Sequence, residues 1–305
     1  MKKNLKMSAA ILAAVMVMGS LTACGGSSSD PTTAADKDTT AAAADSGSTA
    51  AADSGSATGD VTADVQKIID AGVLKVGVKT DVPCFSLQNT ATGEYEGLED
   101  DLAYNIAGKI FGCTPDEAKE KKLVEFQGVT AKTRGPLVEN GELDMVIATF
   151  TITEERKETY NFSTPYFTDA VGLLVLKDSG INSIEDLDGK VIGVAQGSTS
   201  QKGFEAYVAE KGINVKPTFE EFDGYPALAA ALSAKNIDVF SVDRAILAGY
   251  RDDTNKLLDD RYAEQEYGVC TKKENTGLAE LVDGVVTDLK DSGKLAEMIK
   301  DWGIE

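Results

Sequence analysis

The side chains able to do chemistry in this sequence are cations, carboxylates and hydroxyls, because none of its 305 residues is a histidine. That absence removes Ser-His-Asp triads, imidazole zinc ligation and imidazole acid–base catalysis together. Cys24, Cys84, Cys113 and Cys270 include no CxxC pair, so no metal site is expected, and a disulfide among the last three stays open. The informative polar residues each follow a short apolar run: Lys79 after 73–78, Thr149 and Thr151 after 143–148, and Gly197, Ser198 and Thr199 after 190–195. Tyr225 follows 218–222 and Asp243 follows 238–242. With no general acid beyond ordinary carboxylates, such a set points to non-covalent capture of a small polar molecule. Arg134 and Arg156 add planar, permanently charged forks that suit carboxylates. By position alone, blander readings stand beside these: Arg156 as a surface residue in an acidic run, Arg134 on a helix surface, Lys79 solvated, Thr151 in a turn, and Asp243 as a loop acid.

These residues need elements to hold them. Runs 73–78, 123–126 and 143–148 are β-rich, 98–111 carries Leu102, Ile106 and Ile110 at helical spacing, and 131–140 reads as a further helix. After residues 178–180 the alternation restarts, with strands at 190–195, 218–222 and 238–242 and helices at 200–211 and 226–234. This predicts an α/β chain of two lobes, each a mainly parallel sheet flanked by helices. Segments 170–176 and 268–271 are left over and are expected to be the two crossover strands, with 276–302 returning helices to the first lobe. Lobe 1 is then 61–170 plus 267–305, and lobe 2 is 171–266. Ligands of open parallel sheets sit beyond the carboxyl ends of the strands. Two such rims facing each other form a cleft able to shut on a small polar molecule.

The material ahead of the lobes is different in kind. Lys2, Lys3 and Lys6 precede an apolar run at 7–21, the layout of a secretory signal over 1–23. The following Leu21-Thr22-Ala23-Cys24-Gly25 resembles a bacterial lipobox, which implies a lipid anchor on Cys24 at the outer face of the cell membrane. Residues 24–60 are dominated by Gly, Ala, Ser, Thr and Asp, without aromatics, and read as a tether that cannot offset its ordering entropy. Its reach is roughly 30–35 Å. Without the signal, 27 basic residues face 50 acidic ones, a formal charge of −23, which disfavours nucleic acid and anionic membrane as partners.

Residues 77–83 (GVKTDVP), 130–138 (TAKTRGPLV), 148–156 (ATFTITEER), 161–166 (NFSTPY), 195–199 (AQGST) and 240–250 (FSVDRAILAGY) carry a resemblance to a known family. On them the chain resembles the extracytoplasmic amino-acid-binding proteins of ABC importers, the family 3 solute-binding proteins, and among these the glutamate/aspartate-binding members. The resemblance implies a two-lobed, type II periplasmic-binding-protein-like fold joined by two crossover strands, without cofactor or catalysis. It further implies a monomer that delivers glutamate or aspartate to a transporter permease. It assigns the ligand's α-carboxylate to Arg156, Thr151, Ser198 and Thr199, and the α-amino group to Asp243 and Thr149. The ligand's side chain falls to Arg134, Lys79, Thr149 and Tyr225, with Phe85 and Gly197 as cleft wall. Three cations and one anion would then face a ligand of net charge −1. The sequence departs from the family's pattern at Cys84, where Pro or His often stands, and at Leu98, where an aromatic is common. Glutamine or asparagine as ligand, a dehydratase-like enzyme and a sensory receptor are the alternatives. Closure is expected to hinge near 169–172 and 266–268.

Overall fold

The computed structural model describes residues 61–304; the expected signal, the anchor at Cys24 and the tether lie outside the described residues. Helix Leu98–Phe111 shows how local pattern becomes packing. Leu98, Leu102, Ile106 and Ile110 recur every four residues and are all buried, each worth about 1.5–3 kcal/mol when fully removed from water. Glu99, Asp100 and Asp101 occupy its first turn, where the helix dipole favours negative charge, and Gly112 ends it in the left-handed conformation. At its start, a Cβ on Gly97 would lie 2.0 Å from the Phe85 carbonyl oxygen. Only glycine lets these two chain segments pass so closely.

Two main sheets organise the rest. The first runs in the order Val124–Gly128, Leu74–Val78, Met145–Val146, Cys270–Lys272, Tyr160–Phe162. Its first three strands are parallel and the last two pair antiparallel. The second runs Thr218–Phe222, Val191–Ala195, Val239–Asp243, Phe167–Leu176, Asn255–Leu257, with Tyr262–Tyr267 also on Phe167–Leu176. Here too three strands are parallel, and the pairings to Phe167–Leu176 are antiparallel. A small antiparallel sheet of Asp81–Val82, Ser86–Gln88 and Tyr95–Glu96 precedes the first long helix.

The long strand Phe167–Leu176 pairs over its first half with Tyr262–Tyr267 and over its second with Val239–Asp243. This antiparallel pair is the double crossover between the lobes. The second crossover strand is therefore Tyr262–Tyr267, not 268–271. Segment 270–272 instead closes the first sheet between Met145–Val146 and Tyr160–Phe162. The reason is visible in the sequence YAEQEY: its buried positions are Tyr262, Gln265 and Tyr267, so a buried amide and a register shift at 262–264 hide the period-two apolar pattern of a strand. Among the described residues no helix is long and apolar enough to cross a membrane.

Candidate functional site

Each lobe brings strand ends and helix starts to the shared seam, and the lobes touch there. Asp81 of the first lobe accepts hydrogen bonds from the second at two points: its carboxylate from Tyr225 N (3.3 Å) and its carbonyl from the Tyr250 hydroxyl (2.6 Å). Arg156 Nη2 donates to the Gly197 carbonyl at 3.1 Å. Gly197 has φ 78°, and a Cβ there would sit 3.0 Å from Ala131 O and Lys132 Cα. A side chain at 197 would be strained in itself and would wedge the lobes apart.

Lys79 follows Leu74–Val78 and is 1% exposed. Its Nζ lies 3.2 Å from Asp81 Oδ1 and 4.5 Å from the Tyr225 ring centroid. Burial pulls its pKa down, while the charge of Asp81 holds it up. Asp81 Oδ1 is itself buried, and the Lys79 ammonium is its near polar partner. Tyr225 opens helix Tyr225–Ser233 through a proline at the second position, which pre-sets the backbone of that first turn.

Arg134 opens helix Arg134–Glu139 and is 3% exposed. Its Nη1 donates to the carbonyls of Ala148 (2.6 Å) and Thr149 (3.0 Å), and its Nε has no protein partner. Thr149 has φ 45°, a left-handed conformation that threonine adopts only when its surroundings impose it. The imposing group is Glu99, fully buried at the start of Leu98–Phe111, whose Oε1 accepts from Thr149 N at 2.6 Å and from the Tyr166 hydroxyl. Burial pushes the Glu99 carboxyl up to about 7 against the pull of those hydrogen bonds and of Arg134.

Arg156 lies in helix Glu154–Thr159, capped by the Thr153 side chain. Its Nη1 donates to the Thr151 carbonyl at 2.7 Å, and its guanidinium lies 4.7 Å from the Phe150 ring centroid, a ring that Arg134 approaches at 4.1 Å. Burial and the charge of Arg134 both work against the Arg156 charge, with Asp243 opposing them. One buried guanidinium, Arg134, and one half-buried, Arg156, over the same ring make a place where a carboxylate is welcome. Asp243 ends Val239–Asp243 and accepts from the Tyr267 hydroxyl. Burial pushes its carboxyl up to about 7.

Some expected contacts take another form. Ser198 N–H is already bonded to Ala195 O in the turn, so it is not free for an anion. The Thr199 side chain makes no helix cap; it donates to Gln265 Oε1, as the Thr151 hydroxyl does, both at 2.7 Å. Phe85 is buried against Phe167 and Tyr267 beneath the crossover, while Cys84 is exposed and, like Cys113 and Cys270, free. A groove of about 950 Å³ runs past Arg156, Thr151, Ser198, Thr199 and Gln265.

Residues 74–305 match the family described as bacterial extracellular solute-binding proteins, family 3. The chain belongs to this family. The solute-binding protein is 38% identical over 267 residues, 87% of this chain and 92% of the relative, to the glutamine-binding protein of Geobacillus stearothermophilus. It is 28% identical over 245 residues, 76% of this chain and 79% of the relative, to the glutamate-binding protein GluB of Corynebacterium efficiens. It superposes on an ancestral arginine-binding protein solved bound to glutamine, with a TM-score of 0.64 and 29% identity over 77% of this chain and 99% of that one. The two lobes and double crossover are thus the type II binding-protein fold. Three polar residues at this seam were not legible in the sequence: Asp81, Glu99 and Gln265. Asp81 lies inside a matched stretch two residues past a strand end. Glu99 reads as an ordinary first-turn acid, and Gln265 carries no signal.

Proposed function

We propose that this solute-binding protein captures a free amino acid in the interlobe seam and hands it to an ABC importer, and that its first-choice ligand is glutamine. Arg156 receives the α-carboxylate together with the backbone around Thr151 and Thr199, and Asp243 receives the α-ammonium group. The Lys79, Arg134 and Tyr225 side of the seam reads the ligand's side chain. The observation that carries the choice of glutamine is Asp81, a carboxylate held against Lys79 at 3.2 Å on the side-chain face of the seam, with Oδ1 lone-pair capacity left for a donor. A carboxamide offers such an oxygen an N–H and offers Lys79 or Arg134 its own oxygen. A carboxylate offers only a second negative charge.

The charge count agrees. Beside Lys79, Arg134 and Arg156 stand the acids Asp81, Glu99 and Asp243, the last two raised to about 7, so more negative charge meets the three cations than Asp243 alone supplies. A net-neutral zwitterion leaves the charge of the site unchanged, whereas glutamate brings a further negative charge up to Asp81. The 38% identical relative is a glutamine-binding protein, which supports the same choice. Glutamate or aspartate remains the second reading, favoured by the unpartnered Nε of Arg134. Anchoring through Cys24 at the outer membrane face would suit delivery to a permease.

Asp81→Asn tests the proposal. Glutamine affinity is expected to fall roughly tenfold or more, as for loss of a charged hydrogen-bond acceptor, while glutamate affinity rises. Calorimetric titration showing glutamine unaffected would remove Asp81 from ligand recognition.

A further inference from the structure

Gln265 stands on the crossover strand and is 2% exposed, yet the expected ligand set does not include it. Its Oε1 accepts from Thr151 Oγ1 of the first lobe and from Thr199 Oγ1 of the second, each at 2.7 Å. Its Nε2 donates to Ala263 O at 2.8 Å. That last bond settles which way the amide faces, because a carbonyl must receive the nitrogen end. Ala263 has φ 48° at the register shift between Tyr262 and Glu264. The bulge turns this carbonyl to Gln265, the kind of re-aiming that bulges supply near functional sites.

An amide oxygen has two lone pairs, and here both are used, one by each lobe. Both bonds can exist only while Thr151 and Thr199 approach the same point, that is, while the lobes are shut. We propose that Gln265 is a positioning residue that latches closure: it holds one hydroxyl from each lobe, so the closed state carries a hydrogen bond that the open state exchanges for water. The latch commits both hydroxyl protons to Gln265 and leaves the ligand's carboxylate to Arg156 and backbone N–H groups. It depends on the geometry of closure, not on which amino acid is bound.

The test is a double-mutant cycle read without ligand. Dyes attached through unnatural amino acids at the exposed positions Glu120 and Glu210 of the full chain report the closed-to-open ratio by single-molecule energy transfer. Gln265→Met, which keeps length and loses the acceptor, is expected to lower that ratio roughly fivefold to tenfold, the equivalent of about one net hydrogen bond. Thr199→Val, which reads the same latch from the other lobe, should lower it equally. The double variant should then fall no further than either single one. Glutamine affinity should fall in proportion to the closed fraction that the measured ratio gives. A ratio unchanged by either substitution, or additive losses in the double variant, would overturn the latch. Failure to bind glutamine at all would instead bear on the proposed ligand and leave the ligand-free ratio readable.

Discussion

Replacing Arg156 by alanine is expected to weaken amino-acid binding by about 3–5 kcal/mol, roughly two to three and a half powers of ten in Kd. The size follows from what remains behind. A carboxylate enclosed between the lobes would lose its guanidinium partner, and an uncompensated charge held away from water costs far more than an exposed ion pair contributes. The loss should fall on every amino-acid ligand alike, because the α-carboxylate is common to all. The folded protein should tolerate the change, since helix Glu154–Thr159 has no buried residue. Calorimetric titration checks the affinity and thermal melting checks the fold. Wild-type affinity in a folded Arg156→Ala protein would place the carboxylate elsewhere.

Asp243→Asn is expected to cost about 2–5 kcal/mol of binding, by leaving the ligand's ammonium group without its buried counter-charge. The same residue sets a pH dependence. Its carboxyl is raised by burial to about 7 in the ligand-free protein, whereas an ammonium partner requires the ionised form. Affinity should therefore be flat above pH 7 and fall by up to about tenfold per unit below it. The sign for stability is opposite. An acid whose folded pKa is raised takes up a proton on folding, so its contribution to the stability of the ligand-free protein is fullest below the unfolded value of about 3.9 and is lost as pH rises through 7. Ligand stabilisation should consequently grow with pH while intrinsic stability declines. Titrations at a series of pH values check this, and the asparagine variant should flatten the profile. A wild-type profile that stays level from pH 8 to 5 would contradict it.

The helix at Leu98–Phe111 was legible to the residue because Leu102, Ile106 and Ile110 state its period and Gly112 states its end. The parallel strands were legible because short apolar runs alternate with helices, and the strand-end rule points to Lys79, Thr149, Thr151, Tyr225 and Asp243 from the sequence. Illegible features arise where tertiary context overrides local pattern. Tyr262–Tyr267 buries an amide rather than an aliphatic residue, so it does not read as a crossover strand. Glu99 differs from its neighbour Asp101 in the sequence only by which side of the helix faces Thr149. The choice between an acidic and an amide ligand meets the same limit. The cations Lys79 and Arg134 stand out in the sequence and Asp81 and Glu99 do not, because nothing in the sequence tells a buried acid from a solvated one.

Whether this seam reads a carboxamide in preference to a carboxylate is decided by titrating wild-type protein calorimetrically with glutamine and with glutamate at pH 7.5. Glutamine is expected to bind roughly tenfold or more tightly than glutamate, the difference of one well-placed polar contact. Glutamate binding as tightly as glutamine, or more so, would contradict the role given to Asp81 and return the site to an acidic ligand.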